Sequence, residues 1–183
     1  GDIEASVLDY KELLKQFFTH VGTKVKVIIP DRIRDGYGPN TKALLKLREE
    51  KFSVVVTVDC GTTSFEPIEA AMNAGLDVIV VDHHESEATL PNATAIVNPN
   101  RMDDDSPHGH LAAVGVTFLL IVAVNRALRG SKWYVDHKEP DLIQWLDLVA
   151  LGTVCDVVPL KGINRAFVKQ GLKVMSKRNN LGI

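Results

Sequence analysis

Three times in the first half of the sequence a short apolar run leads into an acidic residue, and helical patterns separate the runs. VKVIIP precedes Asp31, SVVVTV precedes Asp59 and VIVV precedes Asp82. Apolar runs of this kind suit strands covered on both faces, and the helical stretches between them supply the crossovers that parallel neighbours need. The alternation therefore predicts βαβ units with right-handed connections, an α/β fold in which a mostly parallel sheet lies between helices as a three-layer αβα arrangement. In a parallel sheet equivalent strand ends share one edge, and neighbouring strands lie only about 5 Å apart. Asp59 and Asp82 are thus expected on the edge where open α/β sheets place their ligands. Asp31, followed by Arg32, reads as a loop residue.

The run through Asp82 continues into two histidines, DVIVVDHHE. Val78–Val81 is expected to be a strand buried on both faces, delivering Asp82, His83 and His84 at its carboxyl end. A carboxylate and two imidazoles on a rigid strand end suit a hydrolytic metal site. The same residues also fit an Asp cap followed by solvent-facing histidines, and the convergence with Asp59 is what favours metal.

Composition narrows the class. At 183 residues, 45% hydrophobic and 24% charged, the chain suits one ordinary globular domain. A net charge of −2 makes no general claim on nucleic acid, so any DNA contact must come from a local basic surface. Cys60 and Cys155 show no disulfide pattern, the opening residues are acidic and amphipathic rather than of signal-peptide type, and a reducing, cytoplasmic setting is expected without a membrane partner. The apolar run from Leu111 to Val124, interrupted by Gly115 and Thr117, reads as a buried core helix.

The other elements follow from local signals. A helix is predicted from Ala5 to a stop at Gly22, and a strand over Lys24–Ile29 ending at Pro30. DRIRDGYGPNT is a loop, with Asn40 or Thr41 placed to cap the next helix. A helix is expected over about Phe65–Asn73, closed by Gly75, and a short strand over Thr94–Val97. The turn-rich Asn100–His110 carries His108 and His110, an HxH of little specificity. Small residues Ala112, Ala113 and Gly115 open the helix over Leu111–Leu128, where free amides can take a phosphate, although close packing explains small residues equally. Pro140 and Asp141 open a helix running into GTVCDVVPL, in which Asp156 is expected to be partly buried among Val154, Val157 and Val158 and to need a partner. The last helix, Ile163–Lys177, should turn its basic residues to solvent.

Together VDCGTTS, VVDHHE, IVNPNR, HLAAVGVTFLL, VALGTVCDVVPLKGINR and PDRIRDGYGPN resemble the successive motifs of the DHH phosphoesterase superfamily, most of all its bacterial RecJ branch of single-strand-specific 5′ to 3′ DNA exonucleases. The resemblance extends over essentially the whole chain. It implies a catalytic DHH domain spanning residues 1–183 and hydrolysis of single-stranded DNA in repair and recombination. It also implies Mn2+ or Mg2+ in a two-metal site, with single-stranded-DNA-binding protein and a recombination helicase as partners. Metal ligands would be Asp2, Asp59, His83 and Asp156, with Asp82 a ligand or an orienter of the histidines. His84 would contact the scissile phosphate, helped by Arg32, Arg101 and the helix start at Gly115.

One motif departs from the pattern. Where that branch has a strand and GDxDxDG before a small-residue helix start, this sequence runs GDI directly into EAS. Asp2 and Ala5-Ser6 match the flanks, but two acids and a glycine between them are not present. The carboxy-terminal nucleic-acid-binding region of the branch is also not represented, so the chain by itself is expected to cut poorly. Two further readings stand beside the exonuclease: a DHH phosphoesterase acting on short oligonucleotides or cyclic dinucleotides, and a catalytically silent DHH scaffold.

Overall fold

A computed structural model describes residues 2–29, 38–178 and 180, with side chains from Tyr10 onward. In chain order the elements are α1 (Asp2–His20), α2 (Thr41–Glu49), β1 (Val54–Val58), α3 (Phe65–Asn73), β2 (Asp77–Val81), β3 (Ala95–Val97), α4 (Ala113–Gly130), α5 (Leu146–Cys155) and α6 (Gly162–Met175). Short 3-10 turns at Trp133–Val135 and Leu142–Trp145 precede α5. The chain divides into two compact units, Ile28–Gly109 and, together, Gly1–Val27 with His110–Ile183.

The first unit holds the sheet. Its three strands run parallel in the order β1-β2-β3, with Val54 opposite Asp77, Val58 opposite Val81, and Ile79 opposite Ala95. As the apolar run predicts, β2 is central, with Val78, Val80 and Val81 fully buried. Leu44 of α2, Ile68 and Ala71 of α3, and Leu76 pack with Val78 and Val80 into one core. The connections obey local chemistry. Asn40 is the N-cap of α2, its side-chain oxygen accepting from the Ala43 amide at 3.2 Å, and Gly75 closes α3 at φ +82°.

Two expectations fail here. Residues 24–29 form no strand, and Val27, Ile28 and Ile29 are exposed, Ile29 at 60%. Nor is β1 covered on both faces, since Val54 is 49% exposed. The two failures share a cause. A strand is stabilised by its neighbours rather than by its own composition, and among the described residues the sheet consists of β1, β2 and β3 with β1 at its edge. The expected loop residues Asp31 and Arg32, with most of the GYG loop, lie outside the described residues.

The second unit is helical. In α1 the buried positions Tyr10, Leu13, Leu14, Phe17 and Val21 fall at helical spacing, and Gly22 ends the helix at φ +84°. Helix α5 is apolar on all sides and correspondingly buried, from Leu146 to Thr153. It meets α6 at backbone distance: a β-carbon on Gly171 would lie 2.1 Å from the Leu146 carbonyl oxygen and 2.4 Å from Ala150 Cβ. Among the described residues α4 is the one helix long and apolar enough to cross a membrane, and its first turns are buried in the unit, as expected of a core helix. Arg165, Lys169, Lys173, Lys177 and Arg178 face solvent, as the sequence suggests.

Candidate metal centre

The sheet brings Asp59 and His83 together because both follow strands in register. The ladder continues one rung beyond each strand: the Asp59 amide donates to Val81 O at 2.9 Å, and the Asp82 amide to Val97 O at 3.0 Å. At Asp59 the backbone turns left-handed, φ +61°, a conformation that Asp tolerates better than most side chains. Gly61 follows at φ +111°, where a β-carbon would lie 2.7 Å from Thr57 Oγ1, so only glycine lets the loop fold back over the strand end.

Three metal-competent side chains converge at this edge. Asp59, His83 and His84 each offer one ligand atom, all within 4.8 Å of one another. His83 Nε2 lies 3.2 Å from Asp59 Oδ1, and the two imidazoles meet edge to face with centroids 4.7 Å apart. Asp59 and His83 are half-buried, whereas His84 is about half exposed.

Asp82 is 2% exposed and both of its oxygens are engaged. Oδ1 accepts from the amides of His83 (2.8 Å) and His84 (3.3 Å) and pairs with His84 Nδ1 (2.7 Å). Oδ2 accepts from the Thr62 amide (3.1 Å) and hydroxyl (2.7 Å). Burial opposes its ionisation, but the bonds from His84, Thr62 and the His83 amide prevail and hold the carboxyl below its usual range. Both carboxylate oxygens are thus occupied by protein donors. Cys60, beside Asp59, is in the opposite condition: burial, then the negative charges of Asp82 and Asp59, push its thiol up to about 12. Its thiol donates to Val58 O at 3.4 Å.

Arg101 is committed within its own loop, bidentate to Asp103 and donating to Ile96 O at 2.8 Å. Asp156 caps the end of α5 in the helical unit and is partly buried as expected. Of its apolar neighbours Val158 is partly buried too, but Val154 is 52% and Val157 87% exposed, because the helix ends there and Val157 turns left-handed at φ +55°. Gly115 sits in the first turn of α4, its amide already bonded to Ala112 O. A β-carbon there would meet Leu111 Cδ2 at 3.0 Å, so packing accounts for the glycine. Asp2 opens α1, and its side chain, like Arg32, lies outside the described set.

A family model described as "DHH family, N-terminal domain" matches residues 2–153. The chain belongs to the DHH family. It is 42% identical over 153 residues to the single-stranded-DNA-specific exonuclease RecJ of Dickeya dadantii, covering 82% of this chain and 27% of that protein. Against the protein of the same name in Bacillus subtilis identity is 37% over 183 residues, covering 100% of this DHH chain and 22% of that one. The chain thus spans about a quarter of the length of these curated relatives. Among solved structures, exonuclease RecJ bound to manganese superposes with a TM-score of 0.78 at 32% identity, covering 92% of this chain and 40% of that one. RecJ from Thermus thermophilus in complex with Mn2+ gives 0.70 at 30% identity, covering 92% and 22%. The α/β class with a parallel sheet is therefore the fold of this chain as well as the expectation from its sequence.

Sequence reasoning passed over three residues of this edge. Thr62, Asn98 and Asn100 fall within the VDCGTTS and IVNPNR motifs, but no individual role is assigned to them from sequence. The available signal was position: each follows a strand of the same parallel sheet, at the edge where Asp59 and Asp82 emerge.

Proposed function

We propose that this chain is the catalytic DHH domain of a metal-dependent exonuclease that hydrolyses single-stranded DNA from the 5′ end. The observation that carries the proposal is the convergence of Asp59, His83 and His84 at the carboxyl edge of the sheet. Asp59 and His83 offer a carboxylate and an imidazole, and the further acids that the family resemblance implies, Asp2 and Asp156, would make the donor set oxygen-rich, as a hard or borderline divalent cation prefers. Mn2+ or Mg2+ suits it, and the solved relatives named as bound to manganese support that choice.

In this reading Asp59 and His83 hold the cation, and Asp156 and Asp2 contribute from the helical unit's sequence. A bound divalent ion supplies an activated water and neutralises charge developing on the phosphate. The protein's part is orientation. Asp82 fixes the orientation of the His84 ring by accepting its Nδ1 proton, and the ring's other nitrogen would donate to a phosphate oxygen only in the imidazolium form. Arg32 and the start of α4 at Gly115 are proposed as further phosphate contacts, and Arg101 only if Asp103 releases it. Single-stranded-DNA-binding protein and a recombination helicase are the proposed partners, in the cytoplasm.

The test is digestion of a 5′-phosphorylated single strand by the full protein with Mn2+, beside Asp59→Asn. Loss of cleavage and of Mn2+ binding in the variant is the expected result. Undiminished cleavage by Asp59→Asn would overturn the assignment, and activity confined to dinucleotides would transfer it to the short-oligonucleotide class.

A further inference from the structure

We infer that Asn98 and Asn100 are positioning residues, which hold the two imidazoles toward Asp59 by gripping the backbone carbonyls of His83 and His84. The inference rests on the metal-centre reading above. Strand pairing ends one rung past β2, at Asp82, so the peptides of His83 and His84 lie beyond the ladder that fixes the rest of the strand. Side chains replace the ladder. From one side Asp82 accepts both amides; from the other, Asn98 Nδ2 donates to His84 O at 2.9 Å and Asn100 Nδ2 to His83 O at 2.5 Å. Both histidine peptides are held at both polar ends.

The choice of asparagine follows from the donor count. Asn98 is 3% exposed and spends both of its donors and one acceptor position on the centre. One amide proton goes to His84 O and the other to Thr62 Oγ1 at 3.0 Å, while Oδ1 accepts the Asn100 amide at 2.8 Å. Thr62 in turn donates its hydroxyl proton to Asp82 Oδ2. A closed circuit results, in which Asn98, Thr62 and Asp82 each fix the next and all bear on His84. Asn100 adds the bond to His83 O and anchors it through Gly109 O at 3.0 Å. An Asp at position 98 would keep the shape and the acceptor but lose both donors, and would set a second carboxylate near Asp82.

The test uses the full chain as wild type, Asn98→Asp and Asn100→Ala, each checked for a native circular-dichroism spectrum. Two quantities are read: Mn2+ affinity, from the free-ion electron paramagnetic resonance signal, and amide hydrogen exchange at His83 and His84 in metal-free protein. Asn100→Ala, which releases the His83 peptide, should bind Mn2+ about 10- to 100-fold more weakly, the usual cost of losing a partner that orients a ligand; Asn98→Asp, which releases the His84 peptide, should weaken it to a smaller extent, and both should exchange these two amides faster. A residue that merely stabilises the fold would lower the unfolding midpoint and leave the affinity of the folded protein unchanged. That outcome, or unchanged exchange, overturns the inference. Should Asn98→Asp fail to fold, the more exposed Asn100→Ala still decides. Should the wild type bind no Mn2+, the metal-centre reading falls, and the exchange rates alone decide whether the grip exists.

Discussion

Replacing Asp82 by Asn keeps the side chain's shape and removes one acceptor, and the structure fixes the consequence. Five donors converge on the carboxylate, two at Oδ2 and three at Oδ1. An amide oxygen can serve only one of these groups. If it keeps the three from His83 and His84, its NH2 faces the Thr62 amide donor to donor, and that buried N–H is stranded at a cost of about 1–3 kcal/mol. The Thr62 hydroxyl can rotate, but its oxygen already receives Asn98. The three retained bonds change from charge-assisted to neutral, losing roughly half their strength. Relief from burying a charge offsets part of this, leaving a net destabilisation of about 2–4 kcal/mol, a large fraction of the about 5–15 kcal/mol that a domain possesses. Urea unfolding at pH 7 with chelator present measures it without the metal. The pH dependence is a second check. Because Asp82 is held below the usual carboxylate range, its contribution is complete above the unfolded value of about 3.9 and is lost only as pH falls through its own lower value. Wild type and variant should therefore stay separated from neutrality to about pH 4 and converge below it. A midpoint shift worth less than about 0.5 kcal/mol, or convergence between pH 7 and 5, would refute the reasoning.

Two further outcomes are expected. Gly171→Ala places a methyl 2.1 Å from the Leu146 carbonyl oxygen, so α5 and α6 must separate; a loss of about 1–3 kcal/mol in thermal or urea unfolding is expected, and a neutral result would contradict the helix contact. Cys60, with its thiol pushed up to about 12, should resist iodoacetamide at pH 8 in the folded protein and react once urea exposes it, as mass spectrometry of the modified peptide will show.

The parts of the fold that were legible in sequence are those fixed by local chemistry. Asn40, Gly22 and Gly75 mark helix ends because capping and left-handed turns are properties of one residue and its neighbours. The buried strand Val78–Val81 was legible because a central strand needs apolar residues on both faces. Residues 24–29 carry a similar run and form no strand, since pairing is decided by what lies alongside, which the run itself does not encode. Asp59 and Asp82 were legible as acids at strand ends. Their division of labour was not: both are Asp in sequence, and only the donors around Asp82 separate an orienting carboxylate from one facing the centre. Asn98 and Asn100 stand in the IVNPNR motif, but their individual roles were hidden for the same reason, since polar residues are ordinary in a turn-rich stretch.

The left-handed backbone at Asp59 limits which substitutions can interrogate its charge. At φ +61° a residue must accept a conformation that costs most side chains about 1–2 kcal/mol, and Asp and Asn accept it with least penalty. Glutamate preserves the carboxylate but lengthens its reach and suffers the backbone cost; alanine removes the charge and suffers the same cost. Either replacement confounds a change of electrostatics with a change in the path of the Asp59–Gly61 turn. Asparagine alters the charge and leaves the turn as it is, and glycine eases the turn while deleting the side chain. The pair Asp59→Asn and Asp59→Gly therefore separates ligand from hinge at a position where a conventional alanine scan would report their sum.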